Sequence, residues 1–479
     1  MIECNTQIFI LFSALGGAFG CGHNKHSSKP PAPEANENLQ KTELKTYDFY
    51  LSAADPAAGL QLSGFPKGLP LSIGSGLRTY SYNPQTGEAV LYGLTDRGPN
   101  GDAPSYKLAS GALIGTKVFA APDFQPSLFK LKYSPAHGLE ILEKIGMKDQ
   151  GQDISGRPIP PGTTGATGEQ PLDQHLQPLS FDLHGLDPEG IDFDQDGHAW
   201  ICDEYGPFII KMDRRSGEIL EKYGPTTGLP QVLAYRQANR GFEGIAVADN
   251  GKIYAVIQST LDINGKTKGT ADFLRIVEFD PLTHATRMFA YPIDSHSYAK
   301  NSDAKIGDLL SLGHGRFAVI EGGKDAAKNQ QNKIFGIDIT QASDLSGRTI
   351  DQSDAKGQEL EFTSLASLAE QGIQPVRKVL IADLRRSGWI HEKAEGLTLL
   401  DARTLLVIND NDFGVSATIA GTQNNDPAAY QIDASGQLNL NALPSPGVYS
   451  LEPAPAELAS TQLLILKLDD DIQRFFTKQ

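Results

Sequence analysis

Short apolar runs of about four to eight residues alternate with polar positions along most of the chain and break at Gly, Asn and Asp, a pattern of paired strands rather than helices. One unit recurs. A polar residue, a glycine and an apolar residue open a strand, a tight turn follows, and a second apolar strand ends in polar residues. The clearest copy opens at Asp187-Pro188-Glu189-Gly190-Ile191, turns at Gln195-Asp196-Gly197 and ends on Asp203-Glu204-Tyr205-Gly206. Gly241-Phe242-Glu243-Gly244-Ile245 leads through Asp249-Asn250-Gly251 to Gln258-Ser259, and Lys393-Ala394-Glu395-Gly396-Leu397 leads to Asn409-Asp410-Asn411-Asp412. Looser copies join Ser75-Gly76-Leu77 to Thr95-Asp96-Arg97-Gly98, and Ile306-Gly307-Asp308-Leu309 to Glu321-Gly322. Asp-Gly and Asn-Gly between alternating runs are strong hairpin signals.

Further strands after each hairpin give four-stranded modules at 73–145, 189–223, 243–292 and 306–382, with a last one from 395–410 and 462–468. Repeated four-stranded units arranged radially make a β-propeller. The expected fold is therefore all-β, a propeller of five visible blades, with room for a sixth in 146–188 or 59–74. A lone strand at 46–52 is expected to pair with 462–468, so that strands from both termini close the ring and leave no sheet edge exposed. Inserts at 98–126, 146–188 and 415–460 fall on the polar face. A fourth, at 341–374, carries a short helical stretch at 364–371.

An antiparallel hairpin places the start of its first strand beside the end of its second. Each module thus brings a polar cluster to the same end, and a ring of modules gathers the clusters around one mouth. Glu189, Glu243, Glu395, Asp96, Asp308, Glu321 and Asp412 are the expected metal ligands, with Asp203, Glu204 and Asp410 as co-ligands or general base. So many carboxylates cannot ionise side by side without a cation. Calcium suits them, because it takes six to eight oxygens in loose geometry. The competing reading is that these acids only hydrogen-bond the backbone of the next blade. Asp192-x-Asp194-x-Asp196-Gly197 resembles the opening of an EF-hand loop, but strands flank it and it reads as a hairpin turn. Arg97 and Arg240 are the expected anchors for an anionic substrate group.

The net charge of −16, with Lys and Arg scattered among 479 residues, excludes a phosphate-backbone binder such as a nucleic-acid protein. Residues 8–15 are apolar and precede Ala18-Phe19-Gly20-Cys21, so 1–20 reads as a signal peptide and Cys21 as a lipidation site. The Pro- and Ser-rich stretch 21–45 reads as a flexible linker, leaving 46–479 as one propeller domain. The expected location is the cell envelope, with membrane contact only through the lipid; the alternative is secretion. Once Cys4 is removed and Cys21 acylated, Cys202 stands alone as a buried small hydrophobe. A monomer is expected.

The ordered set Thr-Asp96-Arg97-Gly98, Asp-Pro-Glu189-Gly-Ile, Asp203-Glu204-Tyr-Gly-Pro, Gly-Phe-Glu243-Gly-Ile-Ala, Val-Ile-Glu321-Gly and Ala-Glu395-Gly-Leu, with Asn409-Asp410-Asn411-Asp412-Phe413, resembles the phytase-like family called "esterase-like activity of phytase" over about 70–468. The resemblance implies an exported bacterial β-propeller with a hydrolase label. Gln258 stands where that family tends to have Glu, and Gly322 where Arg often follows the glutamate; both remove charge from the mouth. The expected function is calcium-dependent hydrolysis of a small anionic substrate, a phosphate ester above all. The alternatives are a tethered binding or scaffold propeller with structural calcium, and a carboxylester or lactone hydrolase.

Overall fold

Two further strands extend each hairpin into a four-stranded antiparallel sheet. In a computed structural model, which describes residues 39–51, 64–351, 356–433 and 435–477, there are five such sheets. From the inner strand outward the first blade is Gly76–Asn83, Glu88–Leu94, Ser127–Ser134 and Gly138–Gly146, and the second is Pro188–Phe193, Ala199–Asp203, Phe208–Met212 and Ile219–Tyr223. The third is Phe242–Val247, Ile253–Ile257, Phe273–Phe279 and Thr286–Pro292. The fourth is Lys305–Gly313, Arg316–Lys324, Gln330–Asp338 and Arg377–Asp383. The fifth takes Gly396–Asp401, Thr404–Ile408 and Thr461–Leu468 from the end of the chain, and Leu39–Tyr47 from its beginning as the outermost strand. The protein is a β-propeller.

The hydrophobic core is divided among the blade interfaces, because each sheet is apolar on both faces and must bury both. One cluster joins Leu94 and Leu128 of the first blade to Ile191 and Ile201 of the second. Others pack Trp200 against Ile245 and Phe273, Tyr254 against Leu309 and Phe317, and Ile320 against Leu397 and Leu405. The remaining one brings Leu406, Ile408 and Leu463 of the fifth blade against Leu77 and Leu91 of the first.

On the axis, Arg78 ties the inner strands together. Its Nε donates to the Ile191 carbonyl at 2.8 Å, Nη1 to Leu397 at 2.7 Å, and Nη2 to Ile245 and Leu309 at 3.0 Å each. One side chain thus reaches a backbone oxygen in each of the other four blades. Asp308 stands beside it at 3.4 Å as counter-ion.

The N-terminal strand begins at Leu39, not at Thr46, and pairs with Thr461–Leu468. It is an outer edge strand with much of its surface in water, so its composition (Lys41, Glu43, Lys45) reads as linker. Residues 39–45 therefore belong to the propeller. The proposed signal peptide and Cys21 lie outside the described residues. No sixth blade forms from 146–188, nor from 64–74, the described part of the other candidate. Instead the inserts make small sheets of their own. Ser105–Lys107 pairs in parallel with Tyr430–Ile432, joining the inserts of the first and fifth blades, and Gln170–Leu172 pairs in parallel with Thr116–Phe119. The short helix falls at Leu365–Glu370, with the Ser364 side chain accepting from the Ser367 N–H as N-cap.

Candidate metal centre

The register of the inner hairpins explains which acids reach the mouth. In the second blade Pro188 faces Asp203 and Gly190 faces Cys202, so Glu189 sits in a β-bulge between them. The third blade repeats this, with Phe242 opposite Ile257, Gly244 opposite Val256 and Glu243 in the bulge. A bulge adds an unpaired residue and re-aims its side chain, here into the mouth. The following glycine is required by space: a Cβ on Gly244 would lie 2.4 Å from Leu309 N, and one on Gly396 would lie 2.8 Å from Leu77 Cβ.

Alignment by these pairings gives two rows around the axis. The first is Ser75, Glu189, Glu243, Gly307 and Glu395; the second, at the ends of the returning strands, is Asp96, Glu204, Gln258, Gly322 and Asp410. Residues between the rows point elsewhere, because side chains alternate along a strand.

Glu189, Glu243 and Glu395 come from three blades, yet they offer oxygens within 4.8 Å of one another. Asp187, Glu189 and Glu204 form a second such group sharing Glu189. All are buried, with Glu243 2 % and Glu395 8 % exposed. Gln258 Nε2 bridges two of them, donating to Glu204 Oε1 and Glu243 Oε2 at 2.8 Å each. Among the described residues, Glu189 Oε2 and Glu395 Oε2 are buried without a hydrogen-bond partner, and Ser75 Oγ in the same row likewise has none. Burial and then neighbouring carboxylates push Glu189, Glu204 and Glu243 well above the usual carboxylate range. Burial also raises Glu395 well above it, against the pull of the Lys393 ammonium. Buried carboxyl oxygens this close, with Glu189 Oε2 unpartnered and Glu395 Oε2 met only by Lys393 at 3.8 Å, fit a hard cation with oxygen ligands.

Asp96 and Asp410 flank the cluster. Asp96 Oδ1 accepts from Gly98 N at 2.8 Å, and burial and the nearby Asp410 hold its carboxyl well above the ordinary range. Asp410 Oδ1 accepts from Ser72 Oγ at 2.5 Å and Asp412 N at 2.8 Å, while Oδ2 meets Lys393 Nζ. Burial would raise Asp410, but Lys393 keeps it below its ordinary value. Asp412 is half-exposed and pairs with the same lysine at 2.9 Å.

The other expected residues are not in the cluster. Asp203 and Glu321 lie between the rows. Asp203 accepts from Asp187 N at 2.7 Å and Gly206 N at 2.8 Å, so both its oxygens serve the backbone. Glu321 pairs with Lys378 at 2.5 Å and accepts from Tyr298 Oη at 3.0 Å. Asp308 falls one residue after the bulge position, which Gly307 occupies, and turns to the axis, where it accepts from Leu309 N and Leu397 N. Burial pushes Asp203 and Asp308 up to about 7. For these three acids the backbone and ion-pair reading is the right one.

Arg97 is not free to anchor a substrate. It is 6 % exposed, its Nη1 donates to Asn239 Oδ1 at 3.0 Å, and Asp187 and Glu169 lie at 3.5 and 3.7 Å. Arg240 keeps a place beside the cluster, lining a cleft that also includes Glu395. Sequence reasoning missed Asp187 and Lys393, although both stand inside the motifs. Lys393 touches Asp410, Asp412 and, at 3.8 Å, Glu395. Cys202 is buried and free, and its thiol is raised well above its usual value by burial. Asp194, Asp196 and His198 cluster at the hairpin turn, where Asp194 Oδ2 accepts from Trp200 Nε1 at 3.0 Å.

Comparison with known proteins bears on this arrangement. The family described as "Phytase-like: Esterase-like activity of phytase" matches residues 75–413, the span that carries all five hairpins. An "Uncharacterized secreted protein" of Arthroderma benhamiae is 23% identical over 428 residues, covering 77% of this chain and 81% of its own. Among solved structures, an alpha-L-arabinofuranosidase from Clostridium thermocellum is similar at 10% identity and a TM-score of 0.34, covering 75% of this chain and 85% of that one. A Streptogramin B lyase is similar at 11% identity and a TM-score of 0.26, covering 90% and 100%. Neither structural likeness is close enough to bear on function.

Proposed function

The chain belongs to the phytase-like family, and from that premise we propose that it is an exported, calcium-dependent hydrolase of small anionic esters, phosphoesters above all. The observation that carries this reading is the meeting of Glu189, Glu243 and Glu395 from three blades, with Glu189 Oε2 buried and lacking a hydrogen-bond partner among the described residues. These three, with Asp187 at the edge, would hold the cation. Bound there, it supplies charge neutralisation and Lewis-acid polarisation of the ester. Gln258 fixes the orientation of Glu204 through Oε1 and leaves Oε2 to take a proton from the attacking water. Lys393 keeps Asp410 ionised, so Asp410 shapes the field of the mouth rather than shuttling protons. The relative's description as secreted supports export. An envelope lipoprotein attached at Cys21 remains part of the proposal.

The test is turnover of a generic phosphomonoester, phytate and a carboxylester, each with calcium and with chelator. Chelator-sensitive turnover of a phosphoester is expected. No turnover in either condition overturns the hydrolase. The deep burial of the triad also favours a second reading, a binding propeller with structural calcium, in which chelation lowers the melting temperature and nothing is hydrolysed.

A further inference from the structure

The ring of mouth residues is interrupted once. In the fourth blade both rows carry glycine, Gly307 and Gly322, and there a cleft of about 140 Å³ opens with Glu395 in its wall. Four cationic side chains line it: Arg240, Lys305, Lys324 and Lys393. Two are spent on acids. Lys393 is held by Asp410 and Asp412, and Lys324 pairs with Glu392 at 2.9 Å. Arg240 uses only Nη1, donating to Ser259 Oγ at 3.1 Å and the Ser302 carbonyl at 2.8 Å; its Nε and Nη2 have no partner among the described residues. Lys305 is half-buried and lies directly across the strand pair from Gly322, and its ammonium makes no hydrogen bond or ion pair among the described residues. The rim acid Asp303 is not bonded to it.

Glu204, Glu392 and Glu395 are near enough to act on the Lys305 ammonium across space, but none closes an ion pair with it, so its donors stay open to an oxyanion in the cleft. We propose that this cleft seats the anionic group of the substrate, a phosphate or carboxylate oxyanion, between Lys305 Nζ and the free edge of Arg240. The inference rests on the hydrolase reading and names the group that the substrate must carry. Arg240 offers the planar two-donor edge that oxyanions match, and Lys305 adds a mobile point charge. A cleft of this volume admits a phosphate-sized group. Since Glu395 belongs to both cleft and triad, an anion seated here lies next to the cation position. This assigns to the fourth-blade gap the anchoring role that the buried Arg97 cannot fill.

The test is calorimetric titration of the full chain with inorganic phosphate and, separately, with acetate, in calcium and in chelator. Wild type is expected to bind at least one of the two anions. Lys305→Met should weaken that binding at least about tenfold, a loss of about 1.4 kcal/mol, and Lys305→Arg should recover most of it. Arg240→Gln gives an independent arm should Lys305→Met melt early. Preference for phosphate identifies a phosphoester and preference for acetate a carboxylate-bearing substrate; either supports the cleft. Equal anion affinity in wild type and Lys305→Met, or no binding of either anion by wild type, overturns it. If calcium binds while the anion ignores Lys305, this inference fails and the metal centre stands. If calcium does not bind but the anion still needs Lys305, the metal centre fails and the cleft stands.

Discussion

Glu189, Glu204 and Glu243 carry the consequences of crowding one kind of charge into a dry place. Their protons leave the unfolded chain near the ordinary carboxylate value and leave the folded chain at higher pH. Over that interval the folded state holds more protons, so stability falls as pH rises. Asp203 and Asp308, pushed to about 7, act in the same direction between their ordinary value of 3.8 and about 7. Chelator-treated protein should therefore melt at a higher temperature at about pH 5 than at about pH 8, and calcium should restore the loss at the higher pH. Thermal melts at the two pH values, with and without calcium, check this. A chelated protein equally stable at both contradicts the buried, unneutralised cluster.

The β-bulge is the element on which the centre depends. The Glu-Gly pair was legible because glycine after a glutamate at a strand start has a steric reason: a Cβ on Gly244 would collide with Leu309 N, and one on Gly190 would lie 2.9 Å from Cys202 Sγ. Gly244→Ala should lower stability by about 1–3 kcal/mol, read as a fall in urea midpoint at unchanged slope. An unchanged midpoint contradicts the close packing. Asp203, Glu321 and Asp308 were misplaced by one residue for a related reason. A motif says that an acid ends a strand, but the bulge decides which parity faces the mouth: Asp203-Glu204 and Glu321-Gly322 share one register, so Glu204 faces the mouth while Asp203 and Glu321 do not. Arg97 was misread because nothing in Asp96-Arg97-Gly98 announces that Asp187, Glu169 and Asn239 will enclose it. Nothing in the local sequence marked Lys305, which lines the cleft across the strand pair from Gly322.

At the scale of the whole molecule, the hairpin count gave the five blades, and the pairing of the two terminal strands was readable from one unpartnered strand at each end. Its first residues were hidden because an outer edge strand is built from linker-like residues, Lys41 to Lys45. A chain beginning at Phe49 should leave Thr461–Leu468 as a long apolar edge and elute as aggregate on size exclusion. Elution as a stable monomer contradicts the strand's role. Arg78 was also unforeseen, since no local pattern marks a side chain that serves four distant carbonyls. Arg78→Met strands Asp308 without its counter-ion and should cost about 3–5 kcal/mol, read by denaturant unfolding. A loss below about 1 kcal/mol contradicts its place as the link among blades.

The most direct measurement is calorimetric titration of calcium into metal-free wild type and Glu243→Gln. The account predicts saturable binding to wild type and at least about tenfold weaker binding to the variant, since the lost carboxylate stands among the three that converge. Absence of binding to wild type, or equal affinity in the variant, would contradict a cation centre built from Glu189, Glu243 and Glu395.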